Sequence, residues 1–169
     1  MQELVDIIDE NGKVLYSRTK KEAHELGLLH KTTVAKIIDT KGHWLLIKQS
    51  AGKQDVGKYV CPVGGHVMSG ESDDDAIKRE VAEEVGFTNI ENYKLLGKKI
   101  FNRNVLGKQE NHMFIMYEIV SDQKPVLNHE SESFKYFTAS ELKSELKENP
   151  QNFGVAFHFA VSSFFLELM

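Results

Sequence analysis

The chain has 169 residues, of which 41% are hydrophobic and 27% charged, and its formal net charge is −4. This length suffices for one well-packed core but is short for two, so we expect a single domain over residues 1–169. The composition excludes a disordered or fibrous protein, and the acidic balance, without a long Lys/Arg block, argues against nucleic-acid binding.

The cysteine content and the lengths of the apolar segments bear on where in the cell the protein is expected. The lone Cys61 cannot form an internal disulfide, which favours a reducing environment. Residues 1–11 are too acidic and too interrupted for a signal peptide, and no apolar stretch reaches the roughly 18 residues that a membrane span needs. We therefore expect a cytoplasmic protein without a membrane partner.

The first third of the chain contains two predicted hairpins around a short helix. Residues 3–19 predict a β-hairpin that turns at the segment ENGK. The short helix that follows stops at Gly27. The next two segments are rich in β-branched and aromatic residues and predict a second hairpin, with its turn near Lys41 and Gly42.

The second half contains two long predicted strands. The segments NYKLLGKKIFN and ENHMFIMYEIV alternate well enough to be strands of a core sheet. We expect a basic loop containing Arg103 and Lys108 to join them. The segment ESFKYFT predicts another short strand.

The C-terminal part is predicted to be helical. Thr138 and Glu141 have the spacing of a capping box and predict the start of a helix. The last segment, NFGVAFHFAVSSFFLELM, is apolar on most faces. It favours a buried closing helix or a contact in a homodimer.

Between these halves, an acidic helix follows a pair of glycines. Ser72 is its predicted N-cap and Gly86 its predicted stop. At about 100° per residue, three apolar side chains share one stripe that can dock on a sheet: Ile77, Val81 and Val85. A second stripe beside it carries three glutamates: Glu80, Glu83 and Glu84.

The crowding of these glutamates indicates a cation. A solvated acidic face is the simpler interpretation of most charge runs. Here, like charges four residues apart cost roughly 0.2–0.5 kcal/mol per pair, and only Arg79 stands among them to offset the repulsion. A hard divalent ion such as Mg²⁺ takes oxygen ligands from a few carboxylates and so relieves the repulsion directly.

The spacing within GGHVMSGESDDDAIKREVAEEVGF resembles the Nudix box. Gly65 is followed after five residues by Glu71. Seven further residues separate Glu71 from REVAEE, which begins at Arg79, and Gly86 and Phe87 follow. The resemblance implies an α/β fold: the Nudix-type α/β/α sandwich, with a mixed β-sheet between helices and a catalytic loop–helix–loop. It also implies Mg²⁺-dependent hydrolysis, with Mn²⁺ as a substitute ion, of a small-molecule diphosphate substrate in which a nucleoside diphosphate is linked to another group.

The same resemblance assigns roles to the residues of the box. Glu80, Glu83 and Glu84 resemble the metal ligands, and one of them also serves as the base that deprotonates the attacking water; which one stays open. The carbonyl of Gly64 resembles a further ligand. Arg79 is expected to orient a neighbouring glutamate through a charge-assisted pair, and Glu71 to steady the loop.

Two residues outside the box are candidates for substrate binding. Glu130 precedes a strand that often supplies an extra acid to Nudix sites, although an exposed loop glutamate is an equal alternative. Arg103 could contact phosphates, although basic residues near a strand turn are usually solvated.

Residues 3–87 also resemble the Nudix proteins related to isopentenyl-diphosphate isomerase. Such isomerases hold a metal with histidines and protonate the alkene with a cysteine and a glutamate. Three histidines of this chain fall at or near the matching positions: His24, His30 and His66. We interpret them as structural or substrate-facing, with His66 as the substrate-binding candidate.

The isomerase pattern is incomplete in this chain. Gly64 stands where the catalytic cysteine would be, and Cys61, three residues away, is interpreted as a small buried hydrophobe. Glu110 matches one isomerase carboxylate, but the second acid is replaced by His112. Three functions therefore remain: a hydrolase, which needs the acids that are present; an isomerase, which needs the missing cysteine; and a non-catalytic nucleotide-binding module, which would be expected to have lost glutamates.

Overall fold

The computed structural model describes all 169 residues and contains nine strands and four α-helices. The strands are β1 (Leu4–Ile8), β2 (Val14–Thr19), β3 (His30–Ile38), β4 (Trp44–Gln49), β5 (Tyr59–Val60), β6 (Val63–His66), β7 (Tyr93–Val105), β8 (Lys108–Val120) and β9 (Ser131–Phe137). The α-helices are α1 (Lys20–Glu25), α2 (Asp73–Val85), α3 (Ala139–Glu148) and α4 (Val155–Phe164). Short 3₁₀ turns cover Pro150–Asn152 and Leu166–Leu168. None of the helices is both long and apolar enough to cross a membrane.

Strand β3 organises the mixed sheet. It pairs in parallel with β8 along its whole length and antiparallel with β1 and β6, while β7 extends the sheet beyond β8. The predicted hairpin of β3 and β4 is present, but only Ile37 and Ile38 pair across it, with Leu45 and Trp44. Beyond these pairs β4 leaves β3 and pairs with β5 instead, while β9 pairs with the other edge of β4 along its whole length. The two strands therefore separate, and a cavity opens between them.

Both faces of the sheet are covered by helices. The side chains of Met113, Ile115 and Tyr117 on β8 join the apolar cluster that contains the buried residues of α2. The intervening Phe114 and Met116 point to the opposite cluster, which contains residues of α3 and α4. This alternation is what a strand buried on both faces requires. The predicted α/β/α sandwich is confirmed.

Helix α2 has the predicted ends and the predicted apolar stripe. The Ser72 hydroxyl accepts a hydrogen bond from the Asp75 amide at 3.1 Å, and Gly86 ends the helix in the left-handed region with φ = 72°. The stripe residues Ile77, Val81 and Val85 are completely buried. Because this stripe docks on the sheet, the adjacent glutamate stripe lies at the edge of the core, beside the cavity.

The link between β7 and β8 differs from the prediction. Arg103 lies within β7 and Lys108 begins β8, so neither belongs to a loop. The turn consists of Leu106 and Gly107, which both have positive φ, 50° and 72°. A two-residue turn with this geometry matches the twist of the flanking strands and lets pairing continue to the turn itself. Arg103 is consequently fixed opposite Glu110 in the ladder.

The remaining predicted elements are present as well. The first hairpin is formed by β1 and β2, and Thr138 and Glu141 form the capping box at the start of α3. The apolar C-terminal segment is a closing helix that buries Phe157, and the segment after it buries Phe165.

Candidate active site

The cavity between β3 and β4 has a volume of about 680 Å³ and a strongly polar lining. One wall is the glutamate stripe of α2 together with the glycines at the end of β6. Histidines from α1, β6 and β8 also line the cavity. The structure therefore brings the residues of the Nudix box and those of the isomerase resemblance into one cavity.

The two glycines serve different purposes. A Cβ atom on Gly65 would overlap the carboxyl group of Glu80, so this position must lack a side chain for Glu80 to occupy its place. Gly64 has open space around it, and its amide donates a hydrogen bond to Oε2 of Glu84 at 3.1 Å. The glycine loop thus packs against Glu80 and donates a hydrogen bond to Glu84.

Arg79 connects the loop to the helix. Its Nε and Nη2 atoms donate to the two oxygens of Glu71 at 2.8 and 2.9 Å, and its Nη1 donates to Glu80 at 2.6 Å. Nη2 also donates to the carbonyl of His66 at 2.9 Å. Such bidentate, charge-assisted contacts fix orientation as well as supply energy. Glu71 in turn accepts the amide hydrogen of Met68 at 2.9 Å, which is a contact within the loop.

The three glutamates have different surroundings. Glu80 is buried and bonded to Arg79, whereas Glu83 is exposed and lies 3.5 Å from the Arg79 guanidinium. Glu84 is half-buried and has no cation in contact. Burial, reinforced by repulsion from Glu80, raises the pKa of Glu84 to about 8. Burial also raises the pKa of Glu80, although Arg79 opposes this effect.

These oxygen donors fit a hard divalent cation. Two carboxyl groups that burial discourages from ionising face one cavity, and a third, exposed one stands beside them. A cation placed there would favour the ionised forms and supply the charge that Arg79 alone does not. Glu80, Glu83, Glu84 and the carbonyl of Gly64 are the residues that could hold Mg²⁺.

The predicted substrate-binding residues outside the box line the cavity, but they are already paired. Glu130 forms an ion pair with Lys53 at 2.8 Å. Arg103 donates from Nε to Glu110 at 2.8 Å and from Nη1 to Asp55 at 3.2 Å. Its guanidinium is therefore held by two carboxylates and would have to exchange partners to contact a phosphate.

The resemblance to isomerases pointed to three of the chain's histidines, but the convergence of four histidines into one cluster was not predicted. His24, His30, His66 and His112 each place one ring nitrogen within 4.8 Å of the others. The pairing of β3 explains this convergence, because His30 lies opposite His112 on β8, and Thr32 lies opposite His66 on β6. Burial lowers the pKa of all four, that of His30 to about 4, so the imidazoles are neutral at pH 7.

Comparisons with known proteins agree with this geometry. A family model described as the NUDIX domain matches residues 27–158. An uncharacterized Nudix hydrolase of Nostoc sp. is 31% identical over 129 residues, which cover 75% of this chain and 74% of that protein. The isopentenyl-diphosphate Delta-isomerase 2 of Photorhabdus laumondii is 26% identical over 163 residues, covering 93% and 89%.

The crystal structure of DR0079 from Deinococcus radiodurans has a similar fold. It superposes with a TM-score of 0.73 at 18% identity, covering 95% of this chain and 98% of that one. The glycine loop, the acidic helix and the sandwich define a Nudix domain. The chain belongs to the Nudix family.

The glycine loop yields a first prediction. Gly65→Ala should displace the Glu80 carboxyl group, because that group ends a flexible side chain and can move while the fold is kept. The variant should lose most of the rise in melting temperature that Mg²⁺ or Mn²⁺ gives the parent. Gly64→Ala, where a Cβ meets no atom within 4 Å, is the matched control and should keep it. Equal responses of both variants would contradict this role of Gly65.

The raised pKa of Glu84 yields a second prediction, for the metal-free protein. The folded state holds the Glu84 proton up to a pH of about 8, whereas the unfolded chain releases it near 4.5. The folded state therefore binds more protons between these values, and the free energy of unfolding should fall as pH rises through this window. Urea unfolding of Glu84→Gln should show a flatter fall, whereas Glu83→Gln, which keeps Glu84, should not. Identical pH profiles for the parent and Glu84→Gln would contradict the assignment.

Proposed function

We propose that this protein is a Mg²⁺-dependent hydrolase that cleaves the pyrophosphate bond of a nucleoside diphosphate linked to another group. The observation that carries the proposal is the complete carboxylate set of α2, facing the cavity and oriented by the contacts of Arg79 with Glu71 and Glu80. A protein that only bound nucleotides would have no need to keep crowded, partly buried carboxylates. Mn²⁺ is expected to substitute for Mg²⁺.

Each part of the site has a task in this reaction. When bound, Mg²⁺ would neutralise charge on the diphosphate and make in-line attack by water on phosphorus feasible. Arg79 holds Glu80 in place, so that the carboxylates need little rearrangement when the substrate arrives. One glutamate accepts the proton of the attacking water. The glycine loop lets the substrate approach the backbone closely.

An isomerase acting on a prenyl diphosphate is the second candidate. It is favoured by the relatives named isopentenyl-diphosphate isomerases and by the histidine wall of the cavity. Against it, Gly64 offers no proton donor at the cysteine position. Cys61 lines the cavity but packs against the core, and burial raises the pKa of its thiol to about 12. A cysteine three residues from the matched position does not replace the missing acid.

Two activity assays separate these functions. The parent protein is incubated with Mg²⁺ and a panel of nucleotides, nucleotide sugars, dinucleotides and prenyl diphosphates, and phosphate is measured after treatment with a phosphatase. Conversion of isopentenyl diphosphate is measured in parallel. We expect hydrolysis of at least one nucleoside diphosphate derivative and no isomerisation.

Substitution should then identify the general base. Removing a positioned base typically lowers the rate by about 10²–10⁴-fold, so one of Glu80→Gln, Glu83→Gln and Glu84→Gln should lower kcat by about that factor. Glu91→Gln, at an exposed position after α2, is the control and should keep the parental rate. Isomerisation by the parent, or full hydrolysis by all three cavity variants, would overturn the proposed function.

A further inference from the structure

We propose that Thr32, on β3, is a specificity-determining residue whose hydroxyl group forms a hydrogen bond with a sugar hydroxyl next to the diphosphate of the substrate. The diphosphate itself is taken from the proposed function, on which this inference rests. The sugar is either the ribose of the nucleoside or a sugar in the group linked to it, because both offer the same hydrogen-bonding atoms. A prenyl chain offers none.

Thr32 has a buried hydroxyl group without a hydrogen-bond partner. Four buried side-chain polar atoms of the chain lack a partner, and they belong to His30, Thr32, Thr33 and Asn111. Of these four residues, Thr32 alone lines the cavity. The residue is only 6% exposed, so an unpaired hydroxyl there is costly. Its place in the cavity lining favours a partner supplied by the substrate.

The charged side chains of the cavity differ from Thr32 in already having partners. Arg103 donates to Glu110 at 2.8 Å, and Lys53 forms an ion pair with Glu130 at 2.8 Å. Each of these groups would give up a charge-assisted contact to bind a neutral sugar. Thr32 would give up none, so a hydrogen bond to its hydroxyl carries no loss of an existing one.

The strand register places Thr32 beside the expected position of the diphosphate. Thr32 lies opposite His66 on β6, and Val34 lies opposite Gly64. Directly opposite side chains lie on the same face of a sheet, and neighbouring strands are about 4.7–4.9 Å apart. The Gly64 amide is bonded to Glu84, one of the proposed metal ligands. A diphosphate held at these carboxylates would therefore place its attached group one strand away, at Thr32.

The surface around Thr32 is apolar. Phe114 is its register partner on β8, and Phe114, Val34 and Phe157 all line the cavity. An apolar lining with a few polar groups that fix orientation is typical of a small-molecule site. Threonine carries its hydroxyl and methyl groups on one carbon, so a change between staggered χ1 rotamers can present the hydroxyl to a bound sugar. A prenyl chain would leave this hydroxyl unpaired, whereas a sugar would pair it.

Equilibrium binding in the presence of Mg²⁺ tests the inference. Calorimetry is carried out on the parent, Thr32→Val and Thr32→Ser with three probes: ADP, ribose 5-phosphate and isopentenyl diphosphate. Thr32→Val should weaken binding of ADP or of ribose 5-phosphate by about 2–12-fold, the loss of one hydrogen bond, and Thr32→Ser should restore it. Isopentenyl diphosphate should bind Thr32→Val no more weakly than the parent.

The two sugar probes distinguish the two sources of the hydroxyl. An effect on ADP assigns the ribose of the nucleoside, and 2′,3′-dideoxy-ADP should then bind the parent and Thr32→Val equally. An effect confined to ribose 5-phosphate assigns a sugar in the linked group.

Thr33→Val is the matched control. It removes an equally buried, unpartnered hydroxyl from the next residue of β3, which does not line the cavity. Both substitutions should raise the melting temperature of the free protein by about 2–4 °C, because each removes an unpaired buried hydroxyl. Only Thr32→Val should weaken sugar binding, which a merely structural role of Thr32 would leave unchanged.

The inference is overturned if the parent binds neither ADP nor ribose 5-phosphate, if Thr32→Val binds both as the parent does, or if Thr33→Val weakens them equally. These measurements need no turnover, so they are separate from the assay of hydrolysis. Sugar binding that depends on Thr32 in a protein without hydrolytic activity would contradict the proposed function alone. Hydrolysis with unaltered sugar binding in Thr32→Val would contradict this inference alone.

Discussion

The docking of α2 on the sheet is the constraint on which the site depends. Complete burial of Ile77, Val81 and Val85 fixes the rotation of the helix, and the helical period then places three glutamates beside the cavity. The helix cannot relieve their repulsion by turning without exposing this apolar stripe. Hydrophobic burial therefore maintains an electrostatically unfavourable arrangement, and a bound cation would make it favourable.

The single arginine of this region only partly offsets the repulsion. Arg79 satisfies Glu71 and Glu80, but Glu84 keeps a pKa near 8 because burial and its neighbours disfavour its charge. Glu71 and Glu80 are thus held by Arg79, whereas the carboxyl group of Glu84 has no cation beside it. A network of surface ion pairs would leave no such carboxyl group uncompensated, so this asymmetry supports the proposed cation site.

The parts of the fold that depend on nearby residues could be predicted from the sequence. The cap at Ser72, the stop at Gly86 and the capping box at Thr138 rest on contacts within a few residues, and all three are present. The roles of the box residues came from their resemblance to a known motif, and they stay predictions until activity is measured.

The parts that depend on distant pairing could not be predicted. The histidine cluster arises because β3 runs parallel to β8, which places His30 opposite a residue more than eighty positions away. Nothing in the local pattern sets that register. The separation of β3 from β4, which opens the cavity, likewise depends on the pairing of β4 with β9. The position of Arg103 was missed because Leu106 adopts a positive φ that is uncommon for its residue type.

Carboxyl groups of α2 and histidines from α1, β6 and β8 therefore line one cavity. We propose that the carboxylates of α2 bind the catalytic cation, and calorimetric titration of the free protein with Mg²⁺ tests this most directly. Because Mg²⁺ loses its water reluctantly and shares substrate phosphates, we expect weak binding that Glu80→Gln and Glu84→Gln weaken further. Tight Mg²⁺ binding that neither substitution affects would place the cation elsewhere and contradict this account.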